Sequence, residues 1–315
     1  MTPAAQATPA ARTVRTVLGD LAPADLGPTD SHDHLFFRSP LLPGEELDDP
    51  LAAAEALHAF AEAGGRTFVQ WTPYGLGRGA AHLADLSRTT GVNVLAATGT
   101  HQAAHHAPHA TPYGTPYEGL AARFVADLTT GLPGAPEGVR AGLIKIASDP
   151  GPSTAHARRV RAAAAEAHHA TGSPIAVHLE AAGDPHEILD DLREHHGVPS
   201  DRIVLGHLTR LTDGALHRSL AAEGVHLALD SPSRAGHPTD LQAFDVIADL
   251  VEAGHADRLL LGADTTTRTA RRLGGPARLL TDLAPRLART FGPDLPHRLF
   301  TTNPATAFAT AWREP

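Results

Sequence analysis

The chain has 315 residues, 42% hydrophobic and 19% charged, with a formal net charge of −9 and no cysteine. Lack of cysteine excludes thiol catalysis, thiolate metal sites and disulfides, and a negative charge without any Lys/Arg run would repel a phosphate backbone, so no nucleic-acid partner is expected. No apolar run approaches the ~18 residues needed to span a bilayer, so no membrane partner is expected either, and α/β barrels of this length fold around one core.

Residues 1–12 are rich in Ala and Pro and carry no apolar leader segment, which argues against secretion. They are expected to be a frayed, disordered tail ahead of a single domain over 13–315, with the cytoplasm as the default location. Eight short β-branched or apolar runs follow, at 27–35, 66–71, 92–98, 140–148, 173–180, 201–209, 225–232 and 257–265. Ala/Leu/Arg segments of helical period separate them, such as 51–64 and 154–172, each with a glycine at or just past its end. This βα alternation predicts a parallel sheet. Metal-ligand residue types sit at the ends of runs one, four, five, six and eight, and only a closed (β/α)8 TIM barrel brings such distant ends around one point.

Of 21 histidines, most are expected to be bland; His168, His169, His195 and His196 read as surface positions. The longest irregular stretch, 99–118, follows the third run and reads as a lid or substrate wall. Within it His101 is a candidate substrate contact, and His101, His105, His106 and His109 form a weaker candidate for an accessory metal site.

The first run carries His32 and His34 one residue apart, on the same side of a strand, where they can share an ion or simply face a polar edge. His178 and His207 each end an apolar run, at what read as equivalent positions of consecutive strands; a satisfied core histidine is the bland alternative. Asp264 closes LLLGAD, where a buried carboxylate needs a cationic partner. Lys145, inside GLIKIAS, is expensive to bury as an ammonium. Either it pairs with Asp264 or another acid, or its neutral amine takes up carbon dioxide to give a carbamate able to bridge two metal ions.

Together these residues resemble the phosphotriesterase family of the amidohydrolase superfamily, in order from about Gly19 to Ala309. His32-Asp33-His34, Lys145 in IKIAS, His178, His207 and Asp264 in GADTTTR carry the likeness, with LGDLAPADLG, ATG and TNPA beside them. The resemblance implies one divalent ion on His32, His34 and Asp264 and a second on His178 and His207. Carboxylated Lys145 and a hydroxide would bridge them. Zinc is the first expectation for both ions, and manganese, cobalt and iron suit the same donors. It also implies that the metal-bridging hydroxide attacks a small-molecule substrate while Asp264 accepts its proton, with a homodimer as the family-level expectation.

Segments 230–234 and 264–275 are most similar to the lactone-opening, phosphotriesterase-like lactonase branch, so a lactone or carboxylic ester is the expected substrate. An amide or N-acyl compound, an organophosphate triester and a non-catalytic metal-binding barrel are the alternatives. Thr100-His101 and Ala235-Gly236 depart from that branch's aromatic and basic residues. Arg234 and Arg268, with Arg271 or Arg272 behind them, are expected to recognise an anionic (phosphorylated or carboxylated) group; the alternative is that they brace loops by pairing with acids such as Asp230 or Asp240.

Overall fold

A computed structural model describes residues 11–106, 114, 116–230 and 238–314. Two three-residue strands, β1 (Val14–Thr16) and β2 (Gly19–Leu21), pair as an antiparallel hairpin that the sequence reading did not anticipate. Eight strands follow: β3 (Thr29–Asp33), β4 (Thr67–Gln70), β5 (Asn93–Gly99), β6 (Leu143–Ala147), β7 (Ile175–His178), β8 (Ile203–Gly206), β9 (His226–Asp230) and β10 (Leu259–Gly262). Each lies inside one predicted run except β5, which runs one residue past the end of 92–98. They form one parallel sheet in sequential order, with helices between successive strands.

The two ends of the sheet meet. The Asp264 amide donates to the His32 carbonyl at 2.9 Å, and the Ala263 amide to the Asp30 carboxylate at 3.2 Å. A Cβ on Gly262 would stand 2.4 Å from the His32 carbonyl oxygen, so this seam closes only with glycine there. The result is a nearly closed eight-stranded barrel with flanking helices.

The alternation of side chains sorts the apolar residues into two clusters. Val69, Leu95, Leu143, Ala176, Val204, Ala228 and Leu260 fill the barrel interior. Their chain neighbours Phe68, Val94, Ile144, Ile175, Leu205, Leu227 and Leu261 pack outward against the helices. The parity has a direct consequence for chemistry. Lys145 lies two residues after Leu143 and His178 two after Ala176, so both point inside.

Both helices named from sequence are present, as Pro50–Glu62 and Ala155–Thr171. The first is capped by the Asp49 side chain on the Leu51 amide, and the second is stopped by left-handed Gly172. On the second helix, His169 is exposed, as expected, but His168 is buried: it turns onto the barrel side of the helix and its Nδ1 donates to the Ser173 carbonyl at 2.7 Å. His195 is exposed and His196 half-buried.

Burial lowers the His168 pKa to about 4, against 6.5 for a free imidazole. A ring held neutral in the fold contributes stability that is complete above pH 6.5 and is lost as pH falls from 6.5 toward 4, because the unfolded chain binds the proton first. Between pH 7 and 4.5 that loss is roughly 2 kcal/mol. Urea unfolding of His168→Gln should show a shallower acid-side fall than the parent chain by about that amount; equal slopes would mean the imidazole is not held neutral.

Among the described residues no helix is long and apolar enough to cross a membrane. The expected tail falls largely outside the described residues, though Ala11 and Arg12 are exposed.

Candidate metal centre and active site

The C-terminal ends of the strands converge on a cavity of about 230 Å³ lined by His34, Lys145, His178, His207 and Asp264, with His32 buried directly beneath. Apolar Phe37, Leu41 and Leu42 form one wall, and His101, His105, Glu180 and Arg210 complete much of the rest. Below His32 lies Trp71, ring on ring at 3.7 Å, its Nε1 donating to the Ser31 carbonyl at 2.8 Å. This indole plugs the barrel under the site.

Strand parity alone does not deliver His207. The register pairs His178 with Gly206, so His207 lies one residue beyond the equivalent position and by alternation would face outward. The reading of the two histidines as equivalent is corrected here. Left-handed backbone at His207 (φ 63°) ends β8 and swings the ring back over the barrel. Asp264 (φ 47°) makes the same excursion after β10, and these two are the non-glycine residues with positive φ among the described residues. Such conformations cost of order 1–3 kcal/mol each and persist where surrounding structure enforces them. Here the Asp264 amide is held by the His32 carbonyl and the His207 amide by Asp230 at 2.7 Å.

The second ring nitrogen of each imidazole decides which lone pair is free. Asp230 accepts from His32 Nδ1 at 2.7 Å and from His207 Nδ1 at 2.6 Å. His34 Nδ1 meets Thr72 Oγ1 at 2.7 Å, and because that hydroxyl donates to the Phe36 carbonyl, the histidine must be the donor. His178 Nε2 donates to Glu180 at 3.0 Å. The lone pairs left over are His32 Nε2, His34 Nε2, His207 Nε2 and His178 Nδ1.

Those four nitrogens point into one space. His32 Nε2 and His34 Nε2 lie 3.8 and 3.4 Å from Asp264 Oδ1, while His207 Nε2 and His178 Nδ1 face each other at 2.6 Å. Two opposed lone pairs repel unless a proton or a cation lies between them, so the donor chemistry fits divalent metal. Two triads have donor atoms within 4.8 Å of one another, His32–His34–Asp264 and His32–His207–Asp230. They are consistent with a binuclear centre. In the second triad Asp230 already binds both Nδ1 atoms, which suits it to orient the rings. No third triad of His, Asp or Glu occurs among the described residues.

Burial, the largest influence, pushes the pKa of His34, His178 and His207 down, which keeps the imidazoles in the neutral form a metal requires. Burial alone would raise the carboxyls of Asp230 and Asp264, but the adjacent histidines outweigh it and hold both below the usual range. Lys145 is 2% exposed. Burial lowers its pKa to about 7, against the opposing pull of Asp264 and Glu180. It makes no ion pair within 4.0 Å of an acid among the described residues, although Asp264 and Glu180 still attract its charge.

Close packing positions this lysine. A Cβ on Gly99 (φ 102°) would lie 1.9 Å from the Lys145 carbonyl oxygen, so the end of β5 can reach β6 only as glycine. Asp33, between the two strand-one histidines, accepts from the amides of His34 and Thr265 and so ties β3 to the chain after β10.

The other candidates divide. His101 is buried in the cavity wall, its ring 4.7 Å from that of His178. His105 and His106 bond Ser39 and Thr100, at 3.0 and 2.9 Å. His109 and Arg234 lie outside the described residues. Arg268, expected at the catalytic mouth, instead donates to the Gly44 carbonyl at 2.6 Å and pairs with Glu46 at 3.6 Å, half exposed, beside a separate cavity. The segment after β10 turns its arginines toward the chain after β3; Arg271 donates to the His34 and Leu35 carbonyls at 2.8 and 2.6 Å.

Asp230, Glu180, Trp71 and Arg210 were not singled out from sequence as site residues. Only Asp230 carried a usable signal, as the acid that ends an apolar run just as Asp264 does.

The model of the phosphotriesterase family matches residues 12–308. A phosphotriesterase homology protein of Mycobacterium tuberculosis is 31% identical over 265 residues, covering 80% of each chain. An N-acetyltaurine hydrolase of Tetraodon nigroviridis is 26% identical, over 88% of this chain and 91% of its own. Among solved structures, a lactonase of Listeria monocytogenes superposes with TM-score 0.84 at 26% identity, covering 94% of this chain and 98% of that one. The phosphotriesterase homology protein of Escherichia coli, complexed with phosphate in its active site, has TM-score 0.83 at 26% identity, covering 90% and 99%. With the family model matched across nearly the whole chain and metal-ligand residues gathered at the open end of the barrel, this protein belongs to the phosphotriesterase family of the amidohydrolase superfamily, on its lactonase-like branch, and is a metal-dependent hydrolase.

Proposed function

We propose that the protein hydrolyses a small lactone or carboxylic ester. The observation that carries this reading is the small size of the cavity at the strand ends, about 230 Å³, lined in part by apolar Phe37, Leu41 and Leu42. Ligand pockets usually run from roughly 300 to 1,000 Å³, and a triester spreads three substituents from a tetrahedral phosphorus. A lactone is compact, and its leaving oxygen stays tethered to the acyl group, so one chamber accommodates both halves of the product. Similarity to a lactonase over 94% of the chain supports the same reading.

In this reading His32 Nε2, His34 Nε2 and Asp264 would hold one divalent ion, and His178 Nδ1 and His207 Nε2 the other. Lys145, as a carbamate, would add an anionic ligand to the centre. Zinc fits the N/O donor set, as do manganese, cobalt and iron. When bound, such ions lower the pKa of a solvent water and polarise the substrate carbonyl. The protein's own groups do the remainder. Asp230 and Glu180 fix the imidazole tautomers, Trp71 closes the floor against water from below, and Asp264 takes the proton released during attack and returns it to the leaving oxygen. His101 forms part of the wall against which the ring lies.

A panel of a γ-lactone, an N-acyl amino acid and an aryl phosphotriester, run on metal-loaded enzyme, tests the reading. The lactone should be turned over with kcat/KM at least about 100-fold above the other two, roughly 2.7 kcal/mol of barrier. Preference for the N-acyl compound would replace this reading with amide hydrolysis, and preference for the triester with organophosphate hydrolysis. Binding of metal with turnover of none would sink it in favour of a non-catalytic barrel.

A further inference from the structure

Arg210 occupies the catalytic cavity without a hydrogen-bonding partner for its guanidinium among the described residues. It ends the short 3-10 turn Leu208–Arg210, which begins at left-handed His207, and its amide returns to the His207 carbonyl at 3.0 Å. The rest of that turn is fixed: Leu208 and Thr209 are buried, and Thr209 Oγ1 donates to the Asp230 carbonyl at 3.2 Å. The side chain is 27% exposed and lines the cavity beside Lys145, His178 and Asp264. Its nearest acid is Asp264, with Nη2 3.7 Å from Oδ2. That distance is too long for a hydrogen bond.

A guanidinium carries five N–H donors. Here none is bonded, in a cavity that also holds Lys145, several histidines and Glu180, whose Oε1 already accepts from Gln102 Nε2 and His178 Nε2. Asp264 is no lasting partner for it, because that carboxylate also faces His32 Nε2 and His34 Nε2 and is committed to them and to the cation they fit. A rigid, partly desolvated cationic fork aimed into a reaction chamber is complementary to an anion with two or more oxygens in one plane. The cavity is also lined by apolar Phe37, Leu41 and Leu42, which suit the uncharged part of such a ligand.

We infer that Arg210 is the substrate-anchoring residue of this site and that the substrate carries a carboxylate or phosphate group next to the ring or acyl unit, bound by the Arg210 guanidinium. This rests on the hydrolase reading above and supplies the recognition that Arg268 does not. The anchor lies beside Asp264, so it also sets the orientation of the scissile carbonyl with respect to the proton acceptor.

The test uses ring compounds with no scissile bond, so it reads binding separately from turnover. Metal-loaded enzyme is titrated calorimetrically with tetrahydrofuran-2-carboxylate, tetrahydrofurfuryl phosphate and the neutral tetrahydrofuran-2-carboxamide. At least one anion should bind ten or more times as tightly as the carboxamide, and which of the two does so identifies the group. In Arg210→Gln that preference should fall to threefold or less with the metal content unchanged, and Arg210→Lys should recover part of it.

A preference that survives in Arg210→Gln, or none in the parent enzyme, overturns the inference. So does loss of metal from Arg210→Gln, which would assign the guanidinium to holding Asp264. If only amides are hydrolysed in the substrate panel while the anion preference vanishes with Arg210, the lactone reading fails and the anchor stands. Lactone turnover with equal binding of acid and carboxamide would defeat the anchor alone.

Discussion

Lys145→Ala is expected to lower kcat by roughly three orders of magnitude, about 4 kcal/mol of barrier, and to leave the protein with less than its full complement of metal. Lys145 lies on β6 with its side chain inside the barrel, 2% exposed, and without an ion-pair partner among the described residues. An ammonium buried in that way is offset only by the pull of Asp264 and Glu180, neither of which pairs with it. A carbamate on the same stem would instead be an anion beside the His and Asp side chains that suit divalent cations. Alanine shortens the stem and vacates a slot leading to the centre, and a carbamate is in essence a carboxylate held at the end of a chain. Short carboxylic acids such as acetate, propionate and butyrate should therefore restore part of the turnover in a saturable manner, with metal content rising in parallel by elemental analysis. Full activity and full metal in Lys145→Ala without added acid would show that no bridging anion is built on this residue.

Asp264→Asn should reduce turnover by about 10³-fold, within the range for loss of a positioned acid–base group, with metal content falling below the two ions per chain expected of the parent. Asparagine is chosen because it tolerates left-handed backbone, and φ at this residue is 47°. The substitution removes the negative charge without adding the strain that alanine would. The carboxylate faces His32 and His34 through Oδ1 and His207 through Oδ2, at 3.8, 3.4 and 3.6 Å. It is thus the acid shared by both groups of histidines, and its loss should be felt by both ions. His178→Ala should remove activity comparably, through one ion only. Since these residues sit on separate strand ends above a filled interior, both variants should keep the far-ultraviolet circular dichroism of the parent. One ion or none in fully active parent enzyme would overturn the binuclear arrangement.

Much of this architecture was legible because apolar runs, helical period and the cost of burying a charge are local properties of a chain. Short β-branched or apolar runs, separated by segments of helical period that end in glycine, located all eight barrel strands, with only β5 running one residue past its run. Strand parity places Lys145 and His178 inside once Leu143 and Ala176 are assigned to the interior. The cost of burying an ammonium or a carboxylate marked Lys145 and Asp264 before any contact was known.

The short hairpin of β1 and β2 gave no such signal, since three residues are too few to express a period. His168 escaped for a related reason: its alanine-rich helix presents no sharp polar stripe, so which rows face the barrel was settled by packing.

The amino-acid sequence by itself determined the barrel, its closure and the set of ligand-type side chains at its open end, because these follow from periodicity and burial cost along single segments. The tertiary structure decided how those side chains act together. Left-handed backbone at His207 corrected a one-residue offset that alternation could not reveal. Asp230 joined His32 and His207 across 198 and 23 positions of chain. Arg268 turned toward Gly44 and Glu46 while Arg210 turned into the cavity. Loop direction and long-range hydrogen bonds depend on closing the whole chain on itself, and no local window of sequence contains that closure.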